Sequence, residues 1–206
     1  MRSASVKHLL LLFSVLIAAA SASAASCESL TSLKLPNTTI TSANTVAAGA
    51  FMPPSPGGST TVASQFSNVP AFCRVAATLT PSSDSDIKIE IWLPVSGWNG
   101  KFQAVGNGGF AGVISYSALA AALRDGYATA STDTGHQGNT AVFALGHPEK
   151  VIDFADRAVH EMTVQAKAIV NAYYGSAPSL SFWNGCSQGG RQAITEAAKY
   201  PADFES

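Results

Sequence analysis

The pattern of apolar and polar positions predicts four short strands from residue 87 onward. In the clearest run, Ile87, Ile89, Ile91 and Leu93 alternate with Lys88, Glu90 and Trp92, which is typical of a half-buried strand. Pro94 is expected to end that strand. Shorter apolar runs predict strands at 101–105, 127–132 and 180–183, and each runs into a polar or glycine-rich turn.

Apolar residues at a spacing of about 3.6 predict one long helix over 152–174, and Gly175 supplies a natural stop. A second, alanine-rich helix is predicted over 190–200. The apolar stripe of the long helix comprises Val151, Ala155, Ala158, Val159, Met162, Ala166, Ile169, Val170 and Tyr173, and its polar side comprises Asp153, Asp156, Arg157, His160 and Lys167. Strands that alternate with helices predict an α/β fold with a mostly parallel sheet.

The N-terminus predicts export rather than part of this fold. Arg2 and Lys7 precede the apolar run 9–17, and Ala-Ser-Ala at 22–24 supplies a small-residue cleavage site. A membrane anchor is the alternative, but the run is too short to span a hydrocarbon core of about 30 Å. We therefore expect residues 1–24 to be a signal peptide and the mature protein to be secreted and extracellular.

The composition narrows the classes of partner. Hydrophobic residues make up 47% of the chain, which is enough for a packed core, whereas charged residues make up only 12% and the formal net charge is −1. Such a chain has neither a basic surface for nucleic acid nor a polybasic cluster for an anionic membrane. We expect neither of these partners.

The cysteines suggest how the N-terminal segment is held. Residues 25–70 are rich in Ser, Thr, Ala and Pro and are expected to be irregular or weakly stranded. Because exported proteins keep disulfides, we predict that Cys27, near the mature N-terminus, pairs with Cys73 and closes a loop of about 46 residues. With three cysteines in the chain, Cys186 pairs elsewhere or remains a free thiol.

The candidate chemistry is concentrated in one turn. Residues 185–189 fit the pattern Gly-x-Ser-x-Gly, in which flanking glycines relieve crowding around an exposed serine. The pattern alone is common, but here a predicted strand precedes it and a predicted helix follows it. This context favours Ser187 as a nucleophile, with the dipole and free N–H groups of the helix directed at a developing oxyanion. A serine–glycine turn without chemistry is the alternative.

An acyl-transfer site also needs two oxyanion donors. One is expected from the backbone N–H of Gln188, the residue after the serine, and the other from the glycine-rich segment 106–112. Glycines let that backbone approach a substrate without side-chain obstruction. A dinucleotide site is the alternative for this segment, but the third glycine of that motif is absent at the required spacing.

The sequence does not identify the general base that would accept the proton of Ser187. His136, His147 and His160 all precede Ser187, whereas the chain order of this architecture is Ser, Asp, His. His147 in a Gly-His-Pro turn and His160 on the polar helix side are expected to be solvated. His136 lies at the end of a predicted strand and is the only histidine whose position suits a base. It precedes Ser187, however, which is the wrong chain order for this architecture. The nineteen residues after Ser187 contain no histidine, so we expect the chain to be truncated shortly after the elbow.

Several segments resemble the tannase and feruloyl esterase family of secreted serine esterases. These are 98–102 leading to 106–112, Ser-Thr-Asp-Thr-Gly-His at 131–136, Arg-Ala-Val-His-Glu-Met at 157–162 and Asn-Gly-Cys-Ser-Gln-Gly-Gly-Arg-Gln at 184–192. The resemblance covers roughly residues 70–206. It implies an α/β-hydrolase fold with Ser187 as nucleophile, Gln188 and either Gly108 or Gly109 as oxyanion donors, and Cys186 in a disulfide with a cysteine beside the catalytic histidine.

The resemblance also implies parts that this chain does not contain. Members of the family continue with a substrate-binding lid that holds a structural calcium, followed by the Asp and the His-Cys pair. Residues 71–206 are therefore expected to be the N-terminal part of the catalytic domain, without a metal or cofactor of its own. The implied substrates are plant cell-wall or other small esters of feruloyl, galloyl or a related aromatic acid. A non-catalytic secreted module that binds polyphenol or polysaccharide is the alternative.

Overall fold

The structure is a computed structural model that describes residues 25–54, 65–110 and 112–205. The expected signal peptide, 1–24, lies outside these residues. The described part contains a six-stranded sheet in the order β1-β2-β3-β5-β4-β6. Its strands are β1 Thr38–Val46, β2 Phe72–Leu79, β3 Ile87–Pro94, β4 Lys101–Val105, β5 Ala128–Thr132 and β6 Leu180–Asn184. Four of them match the predicted strands within one residue at each end.

Helices connect the later strands. They are α1 Tyr116–Arg124, α2 Pro148–Ile152, a π-helical segment Asp153–Arg157, α3 Ala158–Tyr174 and α4 Gln188–Lys199, with short 3₁₀ helices at Glu28–Ser32 and Ala141–Ala144. Within the described residues, no helix has the length and apolar character needed to cross a membrane. The α/β class is thus confirmed.

The sheet is mixed, because only its C-terminal half follows the predicted parallel pattern. Strand β4 pairs in parallel with β5 and with β6. Strands β1, β2 and β3 are successive antiparallel neighbours, and β3 is also antiparallel to β5. The expectation of a mostly parallel sheet was therefore wrong for the antiparallel strands, because neither β1 nor β2 was predicted from the sequence.

Strand β3 is buried on both faces rather than on one. The side chains of Ile87, Ile89, Ile91 and Leu93 pack into the core beside α3, as predicted. Trp92, on the other face, is also fully buried and stacks on Phe72 at 4.3 Å between ring centroids. Glu90 is accommodated there because Arg74 forms two hydrogen bonds to its carboxylate. The face of β3 that was expected to contact solvent is therefore covered by an aromatic cluster and by the ion pair between Glu90 and Arg74.

The π-helical segment shifts the register of the long helix. The predicted stripe is buried from Ala158 to Tyr173, but Val151 is 44% exposed and Asp153 is fully buried. A π-helical turn contains one more residue than an α-helical turn, which rotates the preceding residues around the axis. Asp153 is neutralised by Arg157 at 2.6 Å. Asp153 and Asp156 were both predicted to lie on the polar, exposed side of the helix. Both are buried, so that prediction was wrong.

The segment 25–70 is more regular than expected. It contributes the nine-residue strand β1, which pairs along its length with β2. The structure also contains the Cys27–Cys73 disulfide, with 5.4 Å between the Cα atoms, and both half-cystines are buried. The predicted disulfide thus ties the segment around Cys27 to strand β2 of the sheet.

Replacing both Cys27 and Cys73 with Ala is expected to lower the free energy of unfolding by about 3–4 kcal/mol, because the unfolded chain regains the freedom of a 46-residue loop. Thermal unfolding of the variant against the parent measures the loss. The matched control is Cys186→Ala, which removes an exposed thiol and should leave the melting temperature unchanged. A double variant as stable as its parent would contradict the role of this bond.

Candidate active site

Ser187 lies at a strained turn between β6 and α4. Its backbone has φ 57° and ψ −116°, a conformation that side-chain-bearing residues rarely adopt. Strand β6 ends at Asn184, and α4 begins at Gln188, so the turn has only three residues. The serine is exposed. Strand, sharp turn and helix therefore follow one another as the nucleophile-elbow pattern requires.

Glycines allow this turn to pack against its own helix. A methyl group at Gly185 would lie 2.8 Å from the backbone of Gly189, closer than atoms can approach. At Gly189 the nearest atoms would be 3.4 Å away, which is ordinary contact. The expected crowding around the serine is therefore real, but it falls on Gly185.

The segment after β4 packs directly on the elbow. A methyl group at Gly106 would lie 2.7 Å from the Cα atom of Gly189, so the two backbones touch. The Gly106 N–H donates to the Asn184 carbonyl at 2.9 Å, and its carbonyl accepts from the Ser115 hydroxyl at 2.9 Å. These contacts fix the start of the glycine-rich segment beside the candidate nucleophile.

Two side-chain amides join the same segment to α4. Gln192 donates through Nε2 to Asn107 Oδ1 at 2.7 Å, and Asn107 Nδ2 donates to the Thr132 carbonyl at 2.9 Å. The sequence pattern did not identify this pair. Gln192 is one of several polar residues in α4, so its type and position gave no signal of this contact.

The backbone N–H groups of the expected oxyanion donors are unpaired among the described residues. In α4, the N–H groups of Gly189 and Gly190 donate to the Cys186 and Ser187 carbonyls. Among the described residues, the N–H of Gln188 has no acceptor, and neither has that of Gly108 or Gly109. Such unpaired donors at a helix N-terminus and a glycine loop suit a negatively charged oxygen.

His136 is held away from a base role. Its Nε2 hydrogen-bonds the Phe110 carbonyl at 2.7 Å, and because a carbonyl only accepts, this nitrogen carries the proton. The ring is buried and stacks on Phe143 at 3.8 Å. The other ring nitrogen, Nδ1, lies 3.4 Å from the Thr134 hydroxyl. Both ring nitrogens thus contact groups other than Ser187, and the positional argument for His136 finds no support in these contacts.

The other two described histidines contact carboxylates elsewhere in the molecule. His147 contacts the Asp84 carboxylate at 3.0 Å near the surface. His160 contacts Asp203 at 2.7 Å and stacks on Tyr200 at 3.8 Å, so the expectation of a plainly solvated side chain was wrong. The residues that the structure describes thus bring no histidine to Ser187.

A buried carboxyl pair lies behind the site, at the far end of α4. Glu196 is 2% exposed and lies beside Asp203, which itself contacts His160. Burial, followed by the negative charge of Asp203, raises the pKa of Glu196 to about 8. Burial likewise raises the pKa of Asp133 to about 7, although two backbone N–H groups oppose the shift. Near pH 6, both groups are therefore mostly protonated in the folded state and mostly ionised in the unfolded chain.

Stability is expected to fall as the pH rises from about 5 to about 8, because the folded state then binds more protons than the unfolded state. Glu196→Gln keeps the shape and removes one of the two titrations. The difference in melting temperature between pH 5 and pH 8 should therefore shrink in this variant without vanishing, since Asp133 remains. An unchanged difference would show that Glu196 does not titrate in this range.

The fold and the elbow define a class before any comparison is made. A mixed sheet with a serine at a strained strand-to-helix turn, followed by a helix N-terminus and faced by a glycine loop, is an α/β-hydrolase-type arrangement. Cys186, directly before the serine, is an exposed free thiol among the described residues.

Comparison with known proteins identifies the family. A family model described as tannase and feruloyl esterase matches residues 73–206. An uncharacterized esterase of Xanthomonas campestris is 46% identical over 192 residues, which are 92% of this chain and 32% of that protein. A probable feruloyl esterase B-1 of Aspergillus fumigatus is 40% identical over 155 residues, 75% of this chain and 29% of that protein.

Solved structures agree. The crystal structure of feruloyl esterase B from Aspergillus oryzae superposes with a TM-score of 0.78 at 36% identity, covering 87% of this chain and 35% of that one. The chain belongs to the tannase and feruloyl esterase family. It spans about a third of the length of the curated relatives it matches.

Proposed function

We propose that the protein containing this chain hydrolyses esters of phenolic acids, such as feruloyl or galloyl esters, through an acyl-enzyme on Ser187. The observation that carries the proposal is the strained, exposed Ser187 at the start of α4. Related proteins that are named feruloyl esterases support the substrate class. The products are the free phenolic acid and the alcohol.

The reaction proceeds in two steps. The Ser187 hydroxyl attacks the ester carbonyl, its proton passes to a base, and the resulting oxyanion accepts hydrogen bonds from Gln188 and from Gly108 or Gly109. As this intermediate collapses, the base gives that proton to the leaving oxygen, so the alcohol is expelled and an acyl-serine remains. Water then attacks the acyl group, and the acid is released as the serine regains its proton.

The base and its orienting carboxylate are proposed to lie outside these 206 residues. No described histidine faces Ser187, and the relatives are about three times as long as the matched region. A lid with a structural calcium and a partner for Cys186 remain predictions from the same resemblance. Export also remains a prediction, supported by the Cys27–Cys73 disulfide.

The test compares the whole protein with residues 25–206 on methyl ferulate, methyl gallate and an aliphatic ester of similar size. We expect the whole protein to prefer an aromatic ester and the short chain to be nearly inactive, because a serine without its base is a poor nucleophile at neutral pH. A whole protein that binds polyphenol or polysaccharide but hydrolyses none of these esters would instead support the non-catalytic module.

A further inference from the structure

We propose that Gln192 is a positioning residue that holds the oxyanion-binding loop against α4 through Asn107. This inference rests on the proposed esterase function and assigns a role to two residues that form no described hydrogen bond with Ser187. Gln192 lies one helical turn after the first residue of α4, and Asn107 directly precedes the donor candidates Gly108 and Gly109.

The two amides form a closed, oriented set of hydrogen bonds. The Thr132 carbonyl can only accept, so Asn107 must turn Nδ2 toward it, at 2.9 Å. Asn107 Oδ1 then faces Gln192 and accepts from its Nε2 at 2.7 Å. Gln192 Oε1 is consequently left facing the backbone N–H of Asn107, at 3.4 Å. The orientation of each amide follows from its neighbour.

Burial makes this bridge costly to break. Gln192 is 2% exposed and Asn107 is 8% exposed, so water cannot readily replace a lost partner. The bridge also consumes the N–H of Asn107, which leaves the N–H groups of the two glycines after it as the unpaired donors of the loop. Gln192 therefore favours one backbone arrangement of the segment that is expected to bind the oxyanion.

The loop has backbone anchors on either side of the two glycines, at Gly106 and at Phe110, whose carbonyl accepts from His136 Nε2 at 2.7 Å. Among the described contacts, the bridge between Asn107 and Gln192 is the side-chain hydrogen-bond link from this loop to α4. The backbone of Gly106 is tied to Asn184 and Ser115, whereas a methyl group at Gly108 would meet no atom within 4 Å. Gly109 has φ +56°, a conformation that a glycine can readily leave. The amide bridge ties the donors after Asn107 to the helix that begins beside Ser187, so its loss is expected to loosen their position relative to Ser187.

The test uses Gln192→Leu in the whole protein, which keeps the side-chain volume and removes both hydrogen bonds. Oxyanion contacts strengthen in the transition state, so we expect kcat for a phenolic ester to fall about 10- to 100-fold while KM changes less than about 2-fold. Affinity for a boronic acid that forms a tetrahedral adduct should fall in parallel, and affinity for the free phenolic acid should not.

Two further variants separate positioning from folding. Thr195→Val, on the same helix, removes a hydroxyl whose one hydrogen bond within the described residues is to the Arg191 carbonyl, and it should leave kcat and boronate affinity unchanged. Asn107→Leu should reproduce the loss of kcat. The double variant should be about as active as the less active of the two single variants, because both changes break the same bridge. Fully additive losses, or a loss confined to KM, would overturn the proposal.

The wild-type protein distinguishes this inference from the proposed function. If it does not hydrolyse phenolic esters, the proposed function fails and the positioning role falls with it. If it is active and Gln192→Leu retains full kcat with full boronate affinity, the proposed function stands and only the positioning role is wrong.

Discussion

Ser187→Ala is expected to reduce the kcat of the whole protein on a phenolic ester by at least about 10³-fold. The substitution removes the atom that forms the acyl bond, and only oxyanion and binding contributions remain. KM should change little, because the hydroxyl contributes little to ground-state binding. Steady-state hydrolysis of methyl ferulate at matched protein concentration measures the effect.

The control is Ser179→Ala, just before β6, which removes a hydroxyl that bonds only the Gly100 carbonyl. It should retain near-normal turnover and a similar melting temperature. Near-normal turnover in Ser187→Ala would contradict the role of the elbow, whatever the behaviour of the control.

Gly185→Ala is expected to destabilise the protein by about 1–3 kcal/mol and to remove most of its activity. A methyl group there would lie 2.8 Å from the Gly189 backbone and 2.8 Å from the Trp183 Nε1 atom, so the elbow must move. Because Ser187 is two residues away, its hydroxyl would move with the backbone. Thermal unfolding and ester hydrolysis report the two effects.

Gly190→Ala is the matched control on the same helix. A methyl group at Gly190 would meet no atom within 4 Å, and alanine favours a helix over glycine by about 0.5–1 kcal/mol. This variant should be as stable as the parent or more stable. Equal destabilisation by both substitutions would show that the predicted contact at Gly185 is not the cause.

The elbow could be predicted from the sequence because its requirements are local. A glycine two residues before Ser187, a preceding strand and a following helix all lie within about twenty residues. The Cys27–Cys73 pairing was also predictable, since residues 1–24 indicate export and only three cysteines are present. Membership of the tannase and feruloyl esterase family, which was predicted from short motifs, was confirmed over residues 73–206.

Features that depend on distant contacts could not be predicted. Strand β1 lacks an apolar alternation because it is a polar strand at the edge of the sheet in which only Ala43 is buried. Strand β2 buries Cys73, Val75, Ala77 and Leu79 on one face, but the apolar Phe72 and Ala76 on its other face obscure the alternation in the sequence. The sequence pattern predicts that Glu90 and Asp153 face solvent, but both are buried. Glu90 is paired with Arg74, and Asp153 is paired with Arg157. The bridge between Asn107 and Gln192 joins residues 85 positions apart.

The most direct test of the account is covalent labelling of the whole protein with a fluorophosphonate, followed by peptide mass spectrometry. Such a probe reacts with an activated serine, and its phosphonyl oxygen occupies the position of the oxyanion. The account predicts a single adduct on the peptide that contains Ser187, absent in Ser187→Ala. Efficient ester hydrolysis with no adduct on Ser187, or with the adduct on a different serine, would contradict it.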